Sequence, residues 1–216
     1  MEKTVGAADK SATATINLKK ERKHLYNPSS EEVVIVNVPS MHFLMIDGEG
    51  DPNTAQAYKD AVATLYNLSY TLKFLVKKEQ GVTYSVMPLE GLWWTKDQME
   101  FHLDRHQETW RWTAMIMQPE CVTENLFQRA VEQVKHKKEV SVPADVRFAS
   151  FCEGRSVQIM HQGPYSAEGP TIAKLHTFIK DREYVAEGKH HEIYLSDPRR
   201  ASPEKLRTVI RQPVRP

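Results

Sequence analysis

The chain has 216 residues, with 29 Lys plus Arg against 28 Asp plus Glu. That length suits one large domain or two small halves sharing a core, and buries roughly 70% of the unfolded surface without any staple. The balanced charge lacks the basic excess of a duplex-binding surface, so no nucleic-acid partner is expected. Cys121 and Cys152 form no disulfide framework and suit a reducing compartment. No apolar run reaches signal-peptide or bilayer-spanning length, which excludes a membrane partner and points to the cytoplasm.

Residues 1–20 are small and polar, and are expected to form a mobile arm ahead of a domain over 21–216. Val33–Val38 and His42–Ile46 are rich in β-branched and apolar residues and predict strands, closed by Gly48, Gly50 and Pro52. Asn53 and Thr54 offer cap oxygens for a long helix to about Lys78. Its apolar stripe includes Tyr58, Leu65, Leu68, Leu72 and Val76. A second stripe runs Val62, Tyr66, Tyr70, Phe74, to border a cavity or a partner.

Strands are expected over Tyr84–Trp94 and Trp110–Met117, joined by a polar loop. Thr123 caps a second helix that ends in Lys135, Lys137 and Lys138, cations suited to the negative end of its dipole. Further strands are read at Phe148–Phe151, Val157–His161, His191–Leu195 and Arg207–Gln212. Between them Pro170 opens a helix carrying Ile172, Leu175 and Phe178.

The order strand, Gly/Pro turn, helix, strand with a central Glu, strand ending in Gln-Pro occurs twice. Gly50-Asp51-Pro52, Glu90 and Gln118-Pro119 mark the first copy; Gly163-Pro164, Glu192 and Gln212-Pro213 mark the second. The fold class is therefore α+β, a duplicated αβ unit with halves at about 32–120 and 146–214. A ligand cleft is expected between them on a pseudo-twofold axis.

Four segments match one family in order: Met45–Pro52, Met87–Trp94, His161–Tyr165 and Glu192–Pro198. On these the chain resembles the GyrI-like small-molecule-binding family, over about Tyr26 to Val214. The segment Pro88-Leu89-Glu90-Gly91-Leu92-Trp93-Trp94 is most similar to the stand-alone members. That group includes hydrolases of cyclopropanoid compounds. No helix-turn-helix pattern precedes the domain, which disfavours a transcription activator. The resemblance makes Glu192 the acidic residue at the floor of the ligand pocket.

Alternation sets Glu192 and Tyr194 on one strand face and Ile193 and Leu195 on the other. A Glu there otherwise belongs to a solvated face. Glu90, the repeat partner, either caps a turn or meets Glu192 in the cleft, where repulsion and desolvation would leave one carboxyl protonated. The expected catalytic set is Glu192, Tyr165 and Glu90. Tyr66, Tyr70, Trp94, Trp110, Trp112 and Tyr194 supply rings for stacking an aromatic ligand, or core packing. Adjacent Trp93 and Trp94 point to opposite faces, so at most one lines the cleft. His161 either polarises a ligand or bonds a loop carbonyl. His102 and His106 stand four apart with no third ligand at metal spacing, so neither metal nor cofactor is expected. Two functions fit: hydrolysis of a strained electrophilic ring in an aromatic xenobiotic, or sequestration of lipophilic or cationic small molecules.

Overall fold

The computed structural model describes residues 13–95, 110–136 and 142–216. His102, His106, Lys137 and Lys138 lie outside the described residues, as does most of the expected arm. From Ala14 onward that arm is part of the fold, contrary to the expectation from its composition. Strand β1 (Ala14–Ile16) pairs in parallel with β4 (Val82–Tyr84), and the short helices α1 (Leu18–Glu21) and α2 (Lys23–Tyr26) follow. What orders the segment is its far end, where Leu25 and Tyr26 are fully or nearly fully buried.

The remaining elements come in two matching runs. The first is β2 (Val34–Val38), β3 (Met41–Glu49), α3 (Gln56–Gln80), β5 (Leu89–Thr95) and β6 (Trp110–Gln118). The second is β7 (Arg147–Phe151), β8 (Gly154–Gln162), α5 (Gly169–Asp181), β10 (His190–Tyr194) and β11 (Arg207–Arg215). Helix α4 (Glu124–Lys135) joins the runs, and β9 (Val185–Ala186) is a short addition to β11. Thr123 caps α4 as expected, accepting from the Leu126 amide at 3.3 Å. The cap of α3 differs: Ala55 takes that place without a side-chain bond. Asp51 instead closes an Asx turn on the Asn53 amide at 2.8 Å.

One sheet runs β2-β8-β11-β10-β5-β6-β3-β7, antiparallel at each junction of that path. Each edge strand sits with the opposite run: β2 pairs β8, and β7 pairs β3. Strands β2 and β3 stand six places apart in the sheet, about 29 Å if it were flat. Only Pro39 and Ser40 connect them, a span of at most about 11 Å. The sheet must therefore curl until its two ends meet, and Ser40 Oγ lies 2.5 Å from Ser150 Oγ at that junction.

Helix α3 packs on β3 and β6, burying Leu65, Leu68, Leu72 and Val76, while α5 packs on β8 and β11. The central strands β10 and β5 lie between the two helices. No helix among the described residues is long and apolar enough to cross a membrane.

Candidate functional site

Register decides which side chains share the helix-covered face of β10 and β5. Glu192 pairs with Gly91, His190 with Trp93, and Tyr194 with Leu89. Across β5, Trp93 pairs with Trp112 and Thr95 with Trp110. Directly opposed residues point the same way, so His190, Glu192, Tyr194, Trp93, Trp110 and Trp112 form one surface.

Two glycines make room for the indoles. A Cβ on Gly91 would fall 2.7 Å from Trp93 Nε1, and one on Gly48 would fall 2.2 Å from the Trp112 ring. Trp93 therefore lies flat over Gly91 and its Nε1–H donates to Tyr194 Oη at 3.1 Å. The Tyr194 hydroxyl in turn donates to Glu192 Oε2 at 2.7 Å, and His190 Nε2 stands 3.2 Å from Glu192 Oε1. Both oxygens of a carboxylate only 7% exposed are thus engaged. Burial and the Glu192 charge push the Tyr194 phenol well above its ordinary range, so it stays a donor.

Tyr58 of α3 closes one side, meeting Trp112 edge-on at 5.0 Å and Trp93 at 5.7 Å. Trp110 meets Trp93 at 5.7 Å. Tyr165, at the start of a 3-10 turn over Tyr165–Ala167, crosses Tyr194 edge-on at 5.6 Å and is partly exposed. Its hydroxyl is pushed up to about 12 by burial, then by Glu168 and Glu192.

Glu168 is the second carboxyl. It occupies the N-cap of α5, its backbone carbonyl accepting from the Ile172 amide at 2.9 Å while its side chain makes no cap bond. Its carboxyl stands beside Glu192 and Thr208, is 1% exposed, and its Oε1 takes no hydrogen bond among the described residues. Burial, then the Glu192 charge, drives it up to about 9. The α5 dipole pulls the other way, by at most about 2 kcal/mol or some 1.5 pKa units, and is outweighed. Burial therefore favours the neutral form of Glu168. The site sets two carboxyls side by side among aromatic rings, an arrangement suited to acid–base chemistry on a flat ligand.

The expected residues divide. Glu192, Tyr194, Tyr165, Trp110 and Trp112 come together, with Tyr66 alongside. Trp112, 1% exposed, sits beneath the surface as packing. Glu90 does not join them. One residue from Gly91, it points through the opposite face of the sheet, fully buried. There it accepts from the Tyr26 hydroxyl at 2.8 Å and lies 3.0 Å from His191 Nε2. Trp94 shares that opposite face, with Lys189 Nζ 3.3 Å above its ring. Tyr70, 49% exposed, stacks on Tyr66 and points outward from α3. His161 bonds locally: Nδ1 lies 2.9 Å from Thr171 Oγ1 and Nε2 3.2 Å from the Pro164 carbonyl, fixing the turn that carries Tyr165 and Glu168. Sequence reasoning missed Glu168, Trp93, His190 and Tyr58 as site residues. A carboxylate just before Gly169-Pro170, at a helix start, was the available signal for Glu168.

A model of the GyrI-like small molecule binding domain matches residues 31–215. A search of curated protein sequences returns no match. Among solved structures, an uncharacterized conserved protein from Listeria innocua is 40% identical, with a TM-score of 0.85 over 93% of this chain and 100% of that one. A structure described as a hydrolase from Listeria innocua is 39% identical, TM-score 0.82, over the same shares of both chains. The EcmrR C-terminal domain shares the fold at 11% identity, with a TM-score of 0.54 over 85% of this chain and 97% of that one. The family match spans nearly the whole chain and both halves of its sheet, and the chain belongs to the GyrI-like family of small-molecule-binding domains.

Proposed function

We propose that the chain binds flat aromatic or apolar compounds over Glu192 and hydrolyses a strained, electrophilic ring in them, of the cyclopropanoid class, in the cytoplasm as protection against such xenobiotics. The observation that carries the reading is the Glu192 carboxylate, held by Tyr194 and His190 against a floor of Trp93, Trp110 and Tyr58. A ligand ring stacked there would sit within reach of a water that Glu192 deprotonates. Tyr165 and Tyr66 flank the mouth, and the Tyr165 hydroxyl keeps its proton for donation to a bound oxygen. Acid and base are both side chains, so the reaction calls on neither metal nor organic cofactor. The relatives described as hydrolases support hydrolysis at 38% and 39% identity over their full length.

The test is turnover of a cyclopropanoid by the parent and by Glu192→Gln, which keeps shape but loses the basic oxygen. The variant should retain binding while turnover falls by roughly 10²-fold or more. Unchanged turnover in a folded variant would end the assignment. A carboxylate ringed by aromatics also suits a lipophilic cation. Tight binding of such a cation by a parent without turnover would establish the sequestering alternative instead.

A further inference from the structure

The outer face of α3 carries rings that the fold does not bury. Tyr66, Tyr70 and Phe74 follow one another at four-residue steps, so they stand on one line along the helix. Tyr70 is 49% exposed and Phe74 64%, two of the few large apolar side chains left in solvent among the described residues. Helix α3 turns its buried stripe to β3 and β6, and meets α4 on one flank, where Arg129 donates to Glu79. The line of rings is bordered by cations. Lys73 and Lys77 stand three residues after Tyr70 and Phe74, and Lys59 seven before Tyr66, spacings that put all three beside the rings. From Lys59 to Lys77 this face runs about 27 Å. The neighbouring acids are engaged: Asp60 accepts from Gln56 at 2.8 Å, and Glu79 from Arg129.

A second group of cations adjoins this face. Arg199 and Arg200 sit on the loop between β10 and β11, with side chains 85% and 88% exposed, and share the one carboxylate of Asp197. Arg199 and Asp197 stand close enough to Tyr66 to act on its hydroxyl, and Tyr66 acts in turn on that of Tyr165. Rings and cations therefore form one surface that reaches the mouth of the pocket.

We propose that this surface docks on an anionic lipid bilayer, Tyr70 and Phe74 entering the headgroup layer while the lysines and arginines meet the lipid charges. Exposed rings bordered by Lys and Arg are the composition of an interfacial helix, and each cation near an anionic leaflet strengthens attachment by about fivefold. A second copy of the chain fits this face poorly, because a twofold pairing would set the same cations against one another. The expectation of no membrane partner rested on the lack of a spanning run. Interfacial docking needs none, since it reaches only about 5–10 Å into the lipid boundary. Docked in this way, the mouth between Tyr66 and Tyr165 faces the lipid, where apolar compounds concentrate. Attachment of this kind does not depend on turnover.

The experiment is co-sedimentation of the full chain with vesicles of phosphatidylcholine alone, or of phosphatidylcholine and phosphatidylglycerol in equal parts. At low salt the parent should bind the anionic vesicles roughly tenfold or more tightly than the neutral ones, and molar salt should erase the difference. Lys77→Glu should weaken binding to the anionic vesicles by roughly tenfold, and Phe74→Ser by roughly fivefold. Both positions are exposed, so the variants should melt as the parent does. Lys135→Glu, an exposed charge reversal on α4, should leave binding nearly unchanged. Absence of binding to anionic vesicles at low salt, or equal binding to both kinds, overturns the proposal. So does a loss in Lys135→Glu equal to that in Lys77→Glu, which would mark a non-specific charge effect. A parent that ignores vesicles but dimerises, and becomes monomeric as Phe74→Ser, assigns the face to a second copy and overturns it as well. Turnover of a soluble compound is independent of each of these results, so docking and hydrolysis fail separately.

Discussion

At the scale of single residues, the site is decided by strand parity. Glu90 and Gly91 are neighbours in sequence, yet one sits in the core network and the other beneath Trp93. Trp93 and Trp94 divide in the same way. The sequence showed that adjacent tryptophans must face apart, but the sign of that division depends on the register of β5 against β10. Register is a long-range property that local pattern does not carry. Glu192 and Tyr194 were legible, because alternation within one strand suffices to place them on a common face. The two indoles now make separable predictions. Trp93→Ala should weaken binding of an aromatic ligand by about 1–3 kcal/mol, since it removes both a ring and the donor that orients Tyr194. Trp94→Ala should leave affinity unchanged, because its ring lies on the far face under Lys189. Titration of both variants with one aromatic ligand checks this, and equal losses would refute the placement.

At the scale of elements, the opposite face of the sheet is held by a chain of buried charges. Tyr26 donates to Glu90, His191 lies between Glu90 and Glu153, and Arg211 Nη1 donates to Glu153 at 3.0 Å. Arg211 also donates to Gln158 and to the Leu25 carbonyl at 2.9 and 2.8 Å. Gln158 donates to the His24 carbonyl. Helix α2, only four residues long, has no stability of its own. It is ordered because strands β8 and β11 supply partners for its carbonyls. This is why the arm expectation failed beyond residue 13: its polar composition says nothing of a tether made from the far end of the chain. Most strands and the long helices, by contrast, were legible to within a few residues, since each carries its own periodicity; the single strand read over Tyr84–Trp94 instead divides into β4, ending at Tyr84, and β5, starting at Leu89. Replacing Arg211 with Met would leave Glu153 with His191 as its remaining cationic partner and strip Gln158 and the Leu25 carbonyl of their donor, at a cost of about 3 kcal/mol. The loss should appear in urea unfolding, together with faster tryptic cleavage at Arg22 and Lys23. Undiminished stability would mean that the network contributes nothing.

At the scale of the whole molecule, the two buried clusters set how stability depends on pH. Burial alone would lower His191, but Glu153 and Glu90 outweigh it and raise the imidazole from 6.5 to about 9. Its contribution is complete below pH 6.5 and is lost as pH climbs through about 9. Glu168, raised from 4.5 to about 9, binds its proton more tightly folded than unfolded, so its effect also weakens with rising pH. Glu153 runs the other way. His191 and Arg211 overcome its burial and hold it at about 2 against 4.5, so its contribution is present above 4.5 and lost as pH falls toward 2. Melting temperature should therefore peak near pH 4.5, fall above it as Glu168 loses its contribution, and fall more steeply between 6.5 and 9, where His191 joins it. His191→Gln should flatten part of the alkaline decline. A curve that rises from pH 6.5 to 9 would contradict both assignments.

The exchange of edge strands bears on how a compound gains entry. Because β2 completes the sheet of one half and β7 that of the other, the two halves share strands across their boundary. The floor itself is the β10–β5 ladder, continuous through five paired residues. Proteins built from two lobes on a hinge open like a clamshell, and the described residues offer no such seam across this ladder. On the proposed reading, admission to the carboxyl pair would then fall to side chains at its mouth: Tyr165, partly exposed on the short turn between Gly163 and Glu168, and Tyr66 on the rim of α3.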